Sequence, residues 1–150
     1  MEVRTTRFGI VSIDESKVIV FPKGLLGFAS CTRFCLLKPS EDAAFHWLQS
    51  LEDPALAFVV TDPLLFVPEF AVPIRPEQMV ELKLTRVDDA KVMVIVNKVD
   101  QTLTGNLQGP LVINTVGCVA EQFVLAEKRW TTRHPLVQLE EAAPARAMSA

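Results

Sequence analysis

The chain is poor in the side chains that most site chemistry uses. Among its 150 residues are two histidines, His46 and His134, and three cysteines, Cys31, Cys35 and Cys118. An odd number of cysteines fits reduced thiols better than a disulfide frame. Long apolar runs are missing as well: "LAFVV", "LLFV" and "VMVIV" fall far short of the roughly 20 residues of a membrane-spanning helix. The opening "MEVRTTRFGIVSIDESK" carries charges throughout and no apolar stretch before a small-residue cleavage site, so nothing in it marks export and a cytoplasmic protein is expected. Basic clusters are absent too. The formal net charge is -3 and the lysines and arginines are scattered, which argues against a phosphate-binding stripe and against nucleic acid as a direct ligand. A basic protein partner is compatible with that charge, because opposite net charge speeds encounter.

What the chain does have is apolar bulk, 49% of residues, distributed with a period of two. "RTTRF", "KVIVF", "RFCLLK", "FHWLQSL", "ALAFVVT", "KVMVIV", "PLVINTV" and "EQFVLAE" are short and divided by Gly, Pro, Asn or Asp. This predicts an all-β, mainly antiparallel fold, a single-domain closed or pseudo-barrel of short strands over residues 1–139. One short helix is expected near 76–83, in "RPEQMVELKL": Pro76 suits a first helical position, Glu77 suits the positive end of the helix dipole, and Met79, Leu82 and Val80 are candidates for its apolar side. The tail "EEAAPARAMSA", 140–150, lacks large apolar residues apart from Met148 and is expected to be disordered.

The densest set of titratable groups is "HWLQSLEDPALAFVVTDP", with His46, Glu52, Asp53 and Asp62. General acid–base catalysis needs a donor and an acceptor in reach of one reacting atom. Here Asp53 and Asp62 each precede proline, and an Asp-Pro pair is first a turn signal, its carboxylate accepting backbone N–H groups. His46 reads as a partly buried, hydrogen-bonded strand histidine, and Ser50 lies outside any nucleophile elbow. A hydrolase using His46 with Asp53 or Asp62 is the weaker reading, and an OB-like nucleic-acid binder is weaker still. Cys31-x-x-x-Cys35 has the spacing of half a zinc site, but no second pair follows, so no metal is expected. Gly24 and Gly27 in "FPKGLLGF" lack the Lys-Ser/Thr of a phosphate loop, and no cofactor is expected.

Surface recognition is then the function left to weigh. "TDPLLFVPEFAVPIRP" sets four prolines in a run of Leu, Phe and Val, so its backbone cannot pair regularly while its side chains need cover. Such a segment is either a lid over the core or an apolar patch for another protein. In "TLTGNLQGP", Thr102–Pro110, Asn106 and Gln108 with Leu103 and Leu107 read as a turn or as an interaction loop.

Taken together, "FGIVSIDESKVIVFPKGLLGF", "WLQSLEDPALAFVVTDP", "NLQGPLVIN" and "EQFVLAEKRWTTRHPL" resemble the flagellar assembly factor FliW family, from about Thr6 to Leu136. The family's "LQS" and following Asp-Pro are matched by Leu48, Gln49, Ser50, Asp62 and Pro63. Its "NL-x-x-P-x-x-IN" run is matched by Asn106, Leu107, Pro110, Ile113 and Asn114. The chain departs at Phe70, where the family often has tyrosine, and at Gly109, where alanine is usual. The resemblance implies a non-catalytic protein with two partners, flagellin and the basic RNA-binding repressor CsrA, whose sequestration lets flagellin translation resume. Loop character points to Phe66, Glu69, Phe70, Asn106, Leu107, Gln108 and Asn114 as partner-contact residues.

Overall fold

The computed structural model describes residues 1–139; the expected tail, 140–150, lies outside them. In chain order the strands are β1 (Glu2–Thr5), β2 (Gly9–Ser12), β3 (Ile19–Val20), β4 (Arg33–Leu37), β5 (Phe45–Ser50), β6 (Ala57–Thr61), β7 (Ala90–Val99), β8 (Thr102–Gly105), β9 (Leu111–Asn114), β10 (Val119–Gln122) and β11 (His134–Gln138), with helix α1 (Pro76–Glu81) between β6 and β7. The fold is all-β, as the period of two predicts.

The strands β3 to β7 run as an antiparallel meander, β10 joins β3 in parallel, β9 pairs with β10, and β9 returns to β7. That last pairing closes a ring. Strand β7 is long enough to serve two neighbours along one side: Ala90–Met93 pair with β9, while Val96–Val99 pair with β8, which carries β11 on its outer edge. Separately, β1 and β2 form a hairpin whose turn donates the Thr6 N–H to the Pro54 carbonyl at 2.9 Å. At that turn Phe8 meets Trp47 edge-on at 5.6 Å, and the Arg7 guanidinium lies 4.5 Å from the same indole.

Alternation decides what fills the ring. Phe34, Leu48, Val60, Met93, Leu111, Ile113 and Ala120 are buried in one cluster with Ile19 and Phe21. Each of these side chains except that of Ala120 contributes roughly 1.5–3 kcal/mol relative to exposure. A second cluster, Val67, Phe70, Val94, Leu107 and Trp130, lies under the proline-rich segment. That segment is therefore a lid: Val67 and Phe70 turn inward, and Phe70 packs edge-on against Trp130 at 5.0 Å. Helix α1 begins at Pro76, with the Arg75 N–H donating to Gln78 Oε1 at 2.8 Å. Met79 and Leu82 pack into a third cluster, whereas Val80 points to solvent and drops out of the apolar side.

Two expected elements differ. Thr102–Gly105, expected to open a loop, is strand β8, because Lys98 and Val99 of β7 offer it a ladder. "EQFVLAE" leaves the strand after Gln122, because the N–H groups of Phe123 and Leu125 bond to Pro110 and Gln108 of the preceding loop instead.

Candidate functional site

The histidine and its carboxylates are distributed by the turns they build. Ser50 Oγ accepts the N–H groups of Glu52 and Asp53 at 3.1 and 3.0 Å, and Asp53 Oδ1 accepts from Ala55 N–H at 3.0 Å. The fully buried Gln49 reaches over the same turn and donates through Nε2 to the carbonyls of Ser50, Pro54 and Leu56. Glu52 bonds across to β4, accepting from the Thr32 and Arg33 N–H groups. Desolvation pushes its carboxyl up, but the bonds from Arg33 and Thr32 prevail and hold it below the ordinary glutamate value. Asp62 caps the 3-10 turn Pro63–Leu65 through Leu64 N–H and pairs with Lys91 Nζ at 2.6 Å. His46 stands at the opposite end of β5 from Asp53, so these two do not meet. Its ring nitrogens are both buried without a hydrogen-bond partner among the described residues, against the expectation of a bonded histidine. Asp53 and Asp62 are each engaged as the acceptor of a turn, and Asp62 in an ion pair as well.

The cysteines are apart in role. Cys31 and Cys35 are buried and Cys118 is half-buried, its Sγ 3.5 Å from the Ser16 carbonyl. Burial pushes the Cys35 thiol above its ordinary value. Among the described residues no three His, Cys, Asp or Glu side chains converge as metal ligands, and no helix is long and apolar enough to cross a membrane.

The seven expected contact residues divide by direction. Leu107 is 0% exposed and Phe70 is 5% exposed, both inside the second cluster, so their side chains are support rather than contact surface. Asn114 is also buried: its Nδ2 donates to the carbonyls of Leu82 and Lys83, and its Oδ1 accepts from the Val116 and Gly117 N–H groups. These three expectations are corrected, and the reason is shared. An amide or a leucine between glycines in a loop is exposed only if the loop stands free, and this loop is stitched down. The Leu107 and Gln108 N–H groups donate to the Thr131 carbonyl at 3.0 and 3.3 Å. Asn106 Oδ1 accepts the Gly109 N–H at 2.8 Å, forming the loop's own turn.

Phe66, Glu69, Asn106 and Gln108 keep exposed surface. Phe66 stacks on Phe45 at 5.8 Å and is half-buried. Beside it are two residues that the sequence reading missed: Leu64 and Leu65, 53% and 60% exposed. The signal was the Asp62-Pro63 pair. A capped 3-10 turn on a lid cannot point every side chain inward, so leucines at its second and third positions face out. Lid and loop are neighbours through their buried members, Val67 and Phe70 against Leu107.

A cleft of about 960 Å³ opens between the β1–β2 hairpin and the end of the ring. Val11, Ile13, Leu37, Met93, Ile113 and Trp47 give it apolar walls, and Lys17, Lys38, Lys91, Asp14 and Glu41 stand around it.

The chain is similar to known proteins. The family described as FliW protein matches residues 2–136. The flagellar assembly factor FliW of Geobacter sulfurreducens is 39% identical over 149 residues, 98% of this chain and 92% of that protein. That of Bdellovibrio bacteriovorus is 40% identical over 138 residues, 91% of this chain and 79% of that protein. A crystal structure of the flagellar assembly factor FliW superposes with a TM-score of 0.83 at 31% identity, covering 91% of this chain and 97% of that one.

Proposed function

The chain belongs to the FliW family, and from that membership we propose that it acts in the cytoplasm as a flagellar assembly factor, by binding flagellin and by binding and antagonising CsrA. The observation that carries the proposal is the extent of the match, residues 2–136, which includes both the lid and the loop. A binding role also suits the physical character of the chain. Its acids build turns and ion pairs, its relatives are named as assembly factors, and its proposed action is protein recognition rather than catalysis.

The contact face is assigned to the outer side of the lid and the adjoining loop: Leu64, Leu65, Phe66 and Glu69 with Asn106 and Gln108. Leu64 and Leu65 supply apolar area for a helix whose apolar stripe is uncovered before assembly. Glu69 and the net charge of -3 favour encounter with a basic dimer. Two partners that share or couple their sites make the protein report the level of one to the other, since coupling between sites is reciprocal.

Calorimetry with purified flagellin and CsrA from the same organism tests this. Saturable binding of both, each weakened about ten-fold or more by Leu65→Glu in a variant of unchanged melting temperature, is the expected result. Absence of binding to either protein overturns the function. Intact binding by the variant overturns the assigned face alone.

A further inference from the structure

From Gln108 to Pro110 the loop has three consecutive carbonyls that accept hydrogen bonds from residues 122–125. The Gln108 carbonyl accepts the Leu125 N–H at 2.8 Å, the Pro110 carbonyl accepts the Phe123 N–H at 2.9 Å, and the Gly109 carbonyl accepts from Gln122 Nε2 at 3.0 Å. The first two bonds are donated by the backbone and do not depend on which side chains stand at 123 and 125. The third depends on one carboxamide. Glycine has the widest choice of backbone conformation, so its N–H and C=O keep a direction only where neighbours hold them. At Gly109 both are held by side-chain amides: Asn106 Oδ1 accepts the N–H at 2.8 Å, and Gln122 Nε2 donates to the carbonyl. The packing is close on both sides. A Cβ on Gly109 would stand 2.9 Å from Gln122 Nε2 and 3.0 Å from Asn106 Nδ2.

Gln122 is itself fixed from the other end, since its Oε1 accepts the Leu26 N–H at 2.9 Å from the connection between β3 and β4. Accepting from one segment while donating to another is what a carboxamide can do; ionised glutamate accepts without donating, and methionine lacks the N–H. The opposite end of this chain of bonds is the Asn106 side chain. Its backbone is fixed by the Asn106 N–H on the Ile95 carbonyl at 2.9 Å, and its Oδ1 is committed to Gly109. Its Nδ2 donates to no group among the described residues and is not sealed from solvent. It is therefore a donor of set direction at the loop's surface.

We infer that Gln122 is a positioning residue for partner recognition: by holding Gly109 against Asn106 it sets the Asn106 carboxamide so that Nδ2 donates to an oxygen acceptor on the partner protein. The inference rests on the assignment of this loop to the contact face. It adds a residue that acts through the loop, with Asn106 as the group it aims.

The test uses the whole chain, with calorimetry against purified flagellin and CsrA and with amide hydrogen exchange of the free chain followed by NMR. Asn106→Asp keeps the acceptor for the Gly109 N–H and loses the outward donor, whereas Gln122→Met keeps the donor and loses its aim. Each is expected to weaken binding of at least one partner about five-fold or more, the loss of one hydrogen bond. The double variant is expected to lose less than about two-fold beyond Asn106→Asp, because both substitutions act on the same bond; a merely structural effect would add. Gln122→Glu retains an acceptor for the Leu26 N–H but no donor for Gly109, and is expected to bind as weakly as Gln122→Met. In the free Gln122→Met and Gln122→Glu chains the Gly109 amide is expected to exchange about five-fold or more faster, while β7 and β9 amides keep their protection. Additive losses in the double variant, native affinity in Gln122→Met or Gln122→Glu, or an unchanged Gly109 exchange rate overturns the inference and leaves the proposed function standing. Native affinity in Asn106→Asp overturns the inference together with the loop's place in the contact face. Failure of the native chain to bind either protein overturns the function and the inference with it.

Discussion

Leu107→Ala separates the two readings of the Thr102–Pro110 segment by a single measurement. Leu107 is fully buried against Val67, Phe70, Val94 and Trp130. Truncation removes three carbons, at about 0.8 kcal/mol each for transfer, or about 2.4 kcal/mol. The cavity left under a lid anchored by Phe70 and Trp130 adds about 1 kcal/mol, for a total near 3.5 kcal/mol. With a urea slope of about 2 kcal/mol per molar, the unfolding midpoint falls by about 1.7 M. In a chain of this length, melting drops by roughly 7–14 °C. Gln108→Ala is the control, because its backbone N–H, not its side chain, holds the loop to Thr131; its cost stays within about 0.5 kcal/mol. Circular dichroism during urea titration of both variants decides the matter. A Leu107→Ala loss below about 1 kcal/mol would refute the packing and restore the leucine to the surface.

Asn114→Ala strands the carbonyls of Leu82 and Lys83 and frees the turn amides of Val116 and Gly117; a loss of about 2–4 kcal/mol is expected by chemical denaturation. Gly24→Ala fails on two counts, a backbone φ of +67° and a Cβ that would meet the Ala29 backbone at 2.6 Å. Expression is expected to give little folded protein, with any soluble fraction at least about 3 kcal/mol less stable. Glu52 has a carboxyl held below its ordinary value by the Thr32 and Arg33 N–H groups. The stability it contributes is therefore present above the unfolded glutamate value of about 4.3 and is lost as pH falls through the lower folded value. Urea midpoints of the native chain and of Glu52→Gln are expected to differ at pH 7 and to converge on acidification.

How far the sequence could be read depended on whether the deciding partner was local. Period-two alternation marked most ring strands because each has one face on the core, and Pro76 marked the helix because its ring suits that position. Asp53 and Asp62 were legible as turn formers, since the N–H donors that their carboxylates accept from lie two residues away. Leu107 was not legible as core. Its burial depends on Trp130, Phe70 and the Thr131 carbonyl, none of which its own neighbours announce. Strand β8 was missed for a similar reason, as Thr104 and Gly105 look like the start of a loop until β7 and β11 flank them. The exposed pair Leu64 and Leu65 was hidden inside an apolar run, where composition cannot tell inward from outward.

The ring's closure also sets an order of events in time. The meander and the β9–β10 pair join neighbours in the chain, while the parallel seam between β3 and β10 joins Val20 to Val119 through a single register pair and the Val20 N–H to Cys118 carbonyl bond at 2.9 Å. Loop-closure entropy delays contacts of such separation, so local hairpins form first and the seam zips last. On the ribosome, β3 emerges early and waits for residues 119–122, holding one sheet edge open for most of synthesis. A nascent chain arrested before Val119 is therefore expected to expose a β3 edge that the finished protein covers, and the finished ring acquires its shape only when nearly all of the strands have been made.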